Sequence, residues 1–178
     1  MKAFINGALV PLDQATVSAH DAAVQHGVGL FETMQAFNGR GFRLDAHVNR
    51  LIDSADELGL SRSLRVGPLC ETVEHTLSAN GMTEARVRLT VTGGDLSLLA
   101  AAKAGERSPR HTPSILCVAS EPTRYPPGFF EDGVTVTIAD PKANPFDPTA
   151  GHKTLNYWTR LRALADAASA GAGEAMWF

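Results

Sequence analysis

The chain has 178 residues, 44% hydrophobic and 20% charged, with a formal net charge of −3 at pH 7. That is apolar matter enough for one ordinary domain, or for a large domain plus part of another, and it excludes a disordered chain. The slightly acidic balance gives no general reason to bind nucleic acid or an anionic membrane. The two cysteines, Cys70 and Cys117, sit inside apolar helical and strand patterns. They read as buried thiols of a reducing compartment, not as a disulfide. MKAFINGALVPLD has no apolar signal core, and no apolar run approaches membrane-spanning length, so the expected location is cytoplasmic.

In chain order, KAFI-NG-ALVPL reads as a β-hairpin whose tight turn is Asn6–Gly7. FETMQAF-NGR-GFRL, 31–44, repeats the device around Asn38–Gly39. A helix is predicted from Ala46 to Leu58, with Asp45 as N-cap, Val48, Leu51, Ile52, Ala55 and Leu58 as its apolar stripe, and Gly59 ending it. A second helix, Pro68 to Ala79, opens with proline in its first turn and closes at Asn80–Gly81. ARVRLTVT, 85–92, alternates, with Ala85, Val87, Leu89 and Val91 on one face and Arg86 and Arg88 on the other. That is a half-buried strand. SILCVAS, 114–120, is another strand. EPTRYPPGFFEDG then breaks the pattern and reads as a linker. Beyond it VTVTIAD is a strand, a helix is predicted from Thr154 to Ala170, and EAMWF reads as the first half of a strand with no partner sequence after it. The expectation is an α/β fold. A small domain, residues 1–120, carries a mostly antiparallel sheet and two helices; 121–133 is a linker; 134–178 begins a second domain.

Chemistry is scarce elsewhere in the chain. The six histidines are scattered and the cysteines far apart, so no metal site is expected. HGVGLFE is too short for a dinucleotide fingerprint, and no serine sits in a nucleophile elbow. Lys153 stands out because the proline-broken run PKANPFDPTA hands the chain over there to a helix. A lysine amine can form a Schiff base with an aldehyde once it sheds its proton. Tyr157, four residues on, is expected on the same helical face. Taken alone, such a lysine is as a rule a surface residue.

The run HKTLNYWTRLRAL closely resembles the lysine segment of the fold-type IV pyridoxal-phosphate enzymes, the class IV aminotransferases. These include branched-chain and D-amino acid aminotransferases and aminodeoxychorismate lyase. QHGVGLFETMQAFNGRGFRL is similar to the family's N-terminal strand and hairpin. DAHVNRLIDSADELGL is similar to its histidine-x-x-arginine-leucine helix, and RVRLTVTGG to the strand before its substrate-side loop. Order and spacing agree, and the resemblance spans nearly the whole chain.

The resemblance implies pyridoxal 5'-phosphate as cofactor. Lys153 would hold its aldehyde and act as general base, Arg50 would grip the phosphate, and Tyr157 would bond the phenolic oxygen. His47, three residues before Arg50, either shapes the site or packs. Arg88 is a candidate for a substrate carboxylate, with a solvated strand arginine as the alternative. Phe31 and Glu32 read as structural, with Phe31 also a candidate for the substrate wall. The implied substrates are an amino acid and a 2-oxo acid, and the implied assembly is a homodimer. In the family a carboxylate of the larger domain, some tens of residues past the lysine, pairs with the cofactor's ring nitrogen; Glu174 precedes that place and is not its counterpart. The expectation is therefore an N-terminal portion of such an enzyme, whether truncated, cleaved or incompletely recorded. If these residues were the whole protein, cofactor binding would be weak or absent. Three functions compete: an aminotransferase, a lyase releasing pyruvate from aminodeoxychorismate, and a non-catalytic domain without cofactor. The end at Met176, Trp177 and Phe178 is expected to expose an unpaired strand that favours association.

Overall fold

Asparagine–glycine pairs set the two hairpins. Asn6 and Gly7 adopt φ of 48° and 92°, and Asn38 and Gly39 adopt 53° and 75°. Both residues of each pair are thus left-handed, as the turn that matches strand twist requires. In the computed structural model, residues 1–95, 112–140, 144 and 146–178 are described. They form two compact units, Met1–Pro122 with His152–Leu155, and Thr123–Gly151 with Asn156–Phe178.

The first unit is built on a six-stranded sheet in the order β2-β1-β6-β5-β3-β4. Its strands are β1 Lys2–Ile5, β2 Ala8–Pro11, β3 Gly29–Phe37, β4 Arg40–Gly41, β5 Ala85–Thr92 and β6 Ile115–Ser120. Every pairing is antiparallel. Among the described residues three α-helices accompany it: α1 Ala22–His26, α2 Leu44–Glu57 and α3 Val66–Ala79. The alternation of β5 behaves as predicted, because Ala85, Val87, Leu89 and Val91 are fully buried. They share one cluster with Val48 and Leu51 of α2 and Val73 and Leu77 of α3. Thr90 and Thr92 are buried too, so the end of β5 is enclosed on both faces and not on one.

The helix starts differ from those predicted. Arg43, at φ 50°, occupies the N-cap of α2 and offers no side-chain cap; Asp45 lies inside the first turn. There its carboxylate meets the positive end of the helix dipole. Helix α3 starts at Val66, two residues ahead of Pro68, because proline is tolerated anywhere its missing N–H would have had no helical partner. Cys70 is half-buried, Cys117 is buried, and both are free thiols. Burial pushes each up to about 11, with Asp45 adding to the effect at Cys70. Neither is a ready nucleophile.

The second unit holds α4 Gly128–Glu131, β7 Val136–Ile138, α5 Trp158–Ser169 and β8 Glu174–Met176. Strand β8 is paired, contrary to the sequence expectation, and its partner lies upstream: it runs parallel to β7, with Ile138 opposite Met176. A parallel pair needs a crossover connection, usually a helix, and α5 lies in that connection. The predicted helix from Thr154 is also shorter than expected, because Thr154 and Leu155 are claimed by the sheet of the first unit and the helix starts only at Trp158. No helix among the described residues is long and apolar enough to cross a membrane.

Candidate active site

Strand β4 is only two residues long, pairing with Ala36 and Phe37. It leaves the other end of that edge of β3 open, and Lys153–Leu155 closes it. The Phe31 N–H donates to the Lys153 carbonyl at 3.0 Å, and the Leu155 N–H donates to the Gly29 carbonyl at 2.9 Å. Leu30 and Thr154 face each other in this bridge. The lysine backbone is therefore held against β3 through an isolated bridge at Thr154, not in the first turn of a helix.

Gly29 is what permits the approach. A Cβ there would lie 2.6 Å from Leu155 Cδ1 and 2.7 Å from the Val91 carbonyl oxygen. The latter is backbone in the sheet and cannot step aside cheaply. Gly29→Ala is expected to destabilise the chain by about 1–3 kcal/mol, an overpacking cost. Urea unfolding with an unshifted midpoint would refute the crowding.

Three candidates from the sequence meet on one side of β3. The ring of the buried Phe31 has the Arg88 guanidinium carbon 3.6 Å from its centroid and Lys153 Nζ 4.6 Å from it. A π-face attracts cations, so Phe31 positions both side chains. Glu32 points to the opposite, helix side. Its carboxylate is 1% exposed and receives Arg50 Nε and Nη2 at 2.6 Å each, while His47 Nδ1 lies 2.8 Å from Oε2. His47 and Arg50 are one turn apart on α2, which is why one carboxylate can hold both. Burial pushes Glu32 upward, but the bonds and charges of Arg50 and His47 outweigh it and hold the carboxyl below its ordinary value of 4.5.

Tyr157 lies in the second unit, at the N-cap of α5. Its hydroxyl accepts from Arg160 Nη1 at 3.4 Å, and the Arg160 guanidinium sits 5.0 Å from its ring centroid. The helical-face argument linking it to Lys153 is overturned, because the helix starts only at Trp158 and Lys153 lies outside it. A contact absent from the sequence reading is that of His152 with α2: Nδ1 lies 3.0 Å from Ser54 Oγ and Nε2 3.5 Å from a Glu57 carboxylate oxygen. The buried serine within an apolar stripe was its one signal. No cluster of potential metal ligands occurs among the described residues.

A sequence profile described as Amino-transferase class IV matches residues 29–178. The chain belongs to the class IV aminotransferase family. A Methanocaldococcus jannaschii protein whose name assigns it as a branched-chain-amino-acid aminotransferase is 34% identical over 180 residues, covering 98% of this chain and 58% of its own. The D-alanine aminotransferase of Staphylococcus epidermidis is 32% identical over 93 residues, covering 52% of this chain and 33% of its own. Among solved structures, the Escherichia coli branched-chain amino acid aminotransferase superposes with a TM-score of 0.84 at 22% identity, over 99% of this chain and 59% of that one. The branched-chain aminotransferase of the archaeon Thermoproteus uzoniensis, solved with norvaline, gives 0.81 at 21% identity, over 100% of this chain and 59% of that one. At those identities the structures establish the class IV fold. The chain thus spans about three-fifths of the length of the class IV relatives it matches end to end.

Proposed function

We propose that this chain carries the lysine-bearing part of a pyridoxal-phosphate site that transfers an amino group between an amino acid and a 2-oxo acid. The observation that carries the reading is Lys153 itself, held by its backbone to β3 with Nζ over the Phe31 ring. Membership of the class IV family supports it, as do relatives named as aminotransferases and a Mycobacterium tuberculosis neighbour whose structure contains alpha-ketoglutarate and PMP.

The donor set suits the cofactor: a primary amine for an aldehyde and a guanidinium for a phosphate. Bound pyridoxal phosphate would supply that aldehyde and a ring able to take up charge from the substrate's α-carbon. The chain's residues would do the rest. Lys153 would hold the cofactor at its aldehyde and would carry the proton at the substrate's α-carbon. Arg50 offers the phosphate a guanidinium whose plane Glu32 fixes. Phe31 forms a wall, Arg88 takes a substrate carboxylate, and Tyr157 donates to the phenolic oxygen. On this proposal residues 1–120 are the small domain, 121–133 the link, and 134–178 the opening of the larger domain. A homodimer in the cytoplasm belongs to the same proposal.

Incubation of the purified chain with pyridoxal phosphate, 2-oxoglutarate and a panel of D- and L-amino acids tests it, by following glutamate formation. Pyruvate release from aminodeoxychorismate without transfer would favour the lyase, and neither activity nor cofactor uptake would favour a non-catalytic domain. Arg50→Ala is expected to weaken cofactor binding by about 1.5–3 kcal/mol, the worth of a charged hydrogen-bonded contact. Equal affinity in a fluorescence titration would remove Arg50 from the phosphate site.

A further inference from the structure

Lys153 is preceded by a side chain that the proposed chemistry does not use. His152 reaches across to the last turns of α2, and its side chain is 16% exposed. Two features say that the contact is built. Ser54 is 7% exposed, in a stripe otherwise filled by Val48, Leu51 and Ala55. A serine inside a helix commonly turns its hydroxyl back to the carbonyl four residues earlier, whereas this one meets His152 Nδ1 at 3.0 Å. One neutral tautomer suits both neighbours: the Ser54 O–H can donate to Nδ1, and the N–H is then on Nε2, the nitrogen 3.5 Å from the Glu57 carboxylate. The Ser54 bond is the stronger anchor, because Glu57 is 69% exposed and 3.5 Å away.

The lysine's peptide is thereby held from two sides. Its carbonyl and the Leu155 amide are bonded to β3, and the residue before it is bonded to α2. An amine that must meet an aldehyde carbon repeatedly needs a fixed root for its flexible four-carbon stem.

We propose that His152 is a positioning residue for Lys153, tying the lysine's peptide through Ser54 to the helix that also carries Arg50. This rests on the reading of Lys153 as the cofactor lysine, and the test separates the two. The purified full chain would be mixed with pyridoxal phosphate, reduced with borohydride at intervals, digested and mapped. The wild type is expected to acquire the phosphopyridoxyl group on Lys153. His152→Ala and Ser54→Ala should acquire it about fivefold more slowly, the factor for one lost hydrogen bond of average worth. The Phe31 and Leu155 amides should exchange faster by a similar factor, while the Met34 amide keeps its rate. His152→Asn, whose side-chain amide can take the place of Nδ1, should recover most of both. The double variant should be no slower than His152→Ala alone, as expected of two partners in one contact. Should His152→Ala melt early, Ser54→Ala carries the same test with one hydroxyl removed. Unchanged labelling and exchange, with the wild type labelled on Lys153, would overturn the positioning role. A wild-type label on another lysine would overturn the reading of Lys153, and the proposal with it.

Discussion

Replacing Lys153 by alanine is expected to abolish covalent uptake of pyridoxal phosphate and any amino transfer that depends on it. The chain has four lysines, so the mapping after borohydride reduction is unambiguous. Lys2 sits on β1, and Lys103 and Lys142 lie outside the described residues. A label on any of these three would end the assignment. Lys153→Arg separates charge from chemistry. Arginine keeps a cation near the Phe31 ring but is not deprotonated in proteins, so it cannot attack an aldehyde. Both variants should therefore lose the label. Stability should change little, because a cation over an aromatic ring is worth about 0.5–1 kcal/mol at a partly exposed site. Turnover surviving in Lys153→Arg would mean that the lysine contributes charge alone.

Glu32→Gln is expected to produce the largest loss of stability. The substitution keeps shape and volume but removes the charge to which Arg50 and His47 are bonded. Breaking a fully buried pair costs about 3–5 kcal/mol. Arg50, however, is 58% exposed and can recover solvent contacts, so about 2–3 kcal/mol is expected here. The effect depends on pH. Because the folded carboxyl titrates below its ordinary 4.5, its contribution is fully present above that value and fades as pH falls through the lower folded one. Urea midpoints measured from neutral to acid pH should therefore fall more steeply in the wild type than in Glu32→Gln. Parallel curves would show that the carboxylate adds nothing through its charge.

The parts of the fold legible in the sequence were those in which local pattern and burial agree. Strand β5 was placed residue for residue because its alternation is also its burial, and both asparagine–glycine turns need no tertiary help. The helix after Lys153 begins four residues later than its sequence pattern predicts. Its apolar spacing does continue back to Leu155, but Leu155 is drawn into the open edge of β3, which no local pattern encodes. Strand β8 was given no partner because a parallel partner lies across a helix, not across a turn. At the site, resemblance singled out Lys153, Arg50, Phe31 and Arg88 as candidates, and the structure brings Lys153 and Arg88 to the same ring. The grip of Glu32 on Arg50 was hidden because strand and helix are separately periodic, and only their packing makes one carboxylate the partner of a guanidinium and an imidazole. His152 was hidden for the same reason, since the serine that receives it lies far earlier in the chain.

The return of His152–Leu155 to the first unit has a kinetic consequence. All six strands of that unit are complete by Ser120, and its hairpins and helices are local enough to form early. The bridge between Leu30 and Thr154 must close one of the longest loops in the chain, which is slow in entropic terms. The segment is held to β3 by two backbone bonds and an isolated bridge, so its docking is expected to follow assembly of the sheet. Substitutions within it should speed unfolding and leave the folding rate unchanged. In a nascent chain the sheet is also synthesised before the lysine it receives. The residue on which the proposed chemistry turns is then the last part of its unit to arrive and the first to leave.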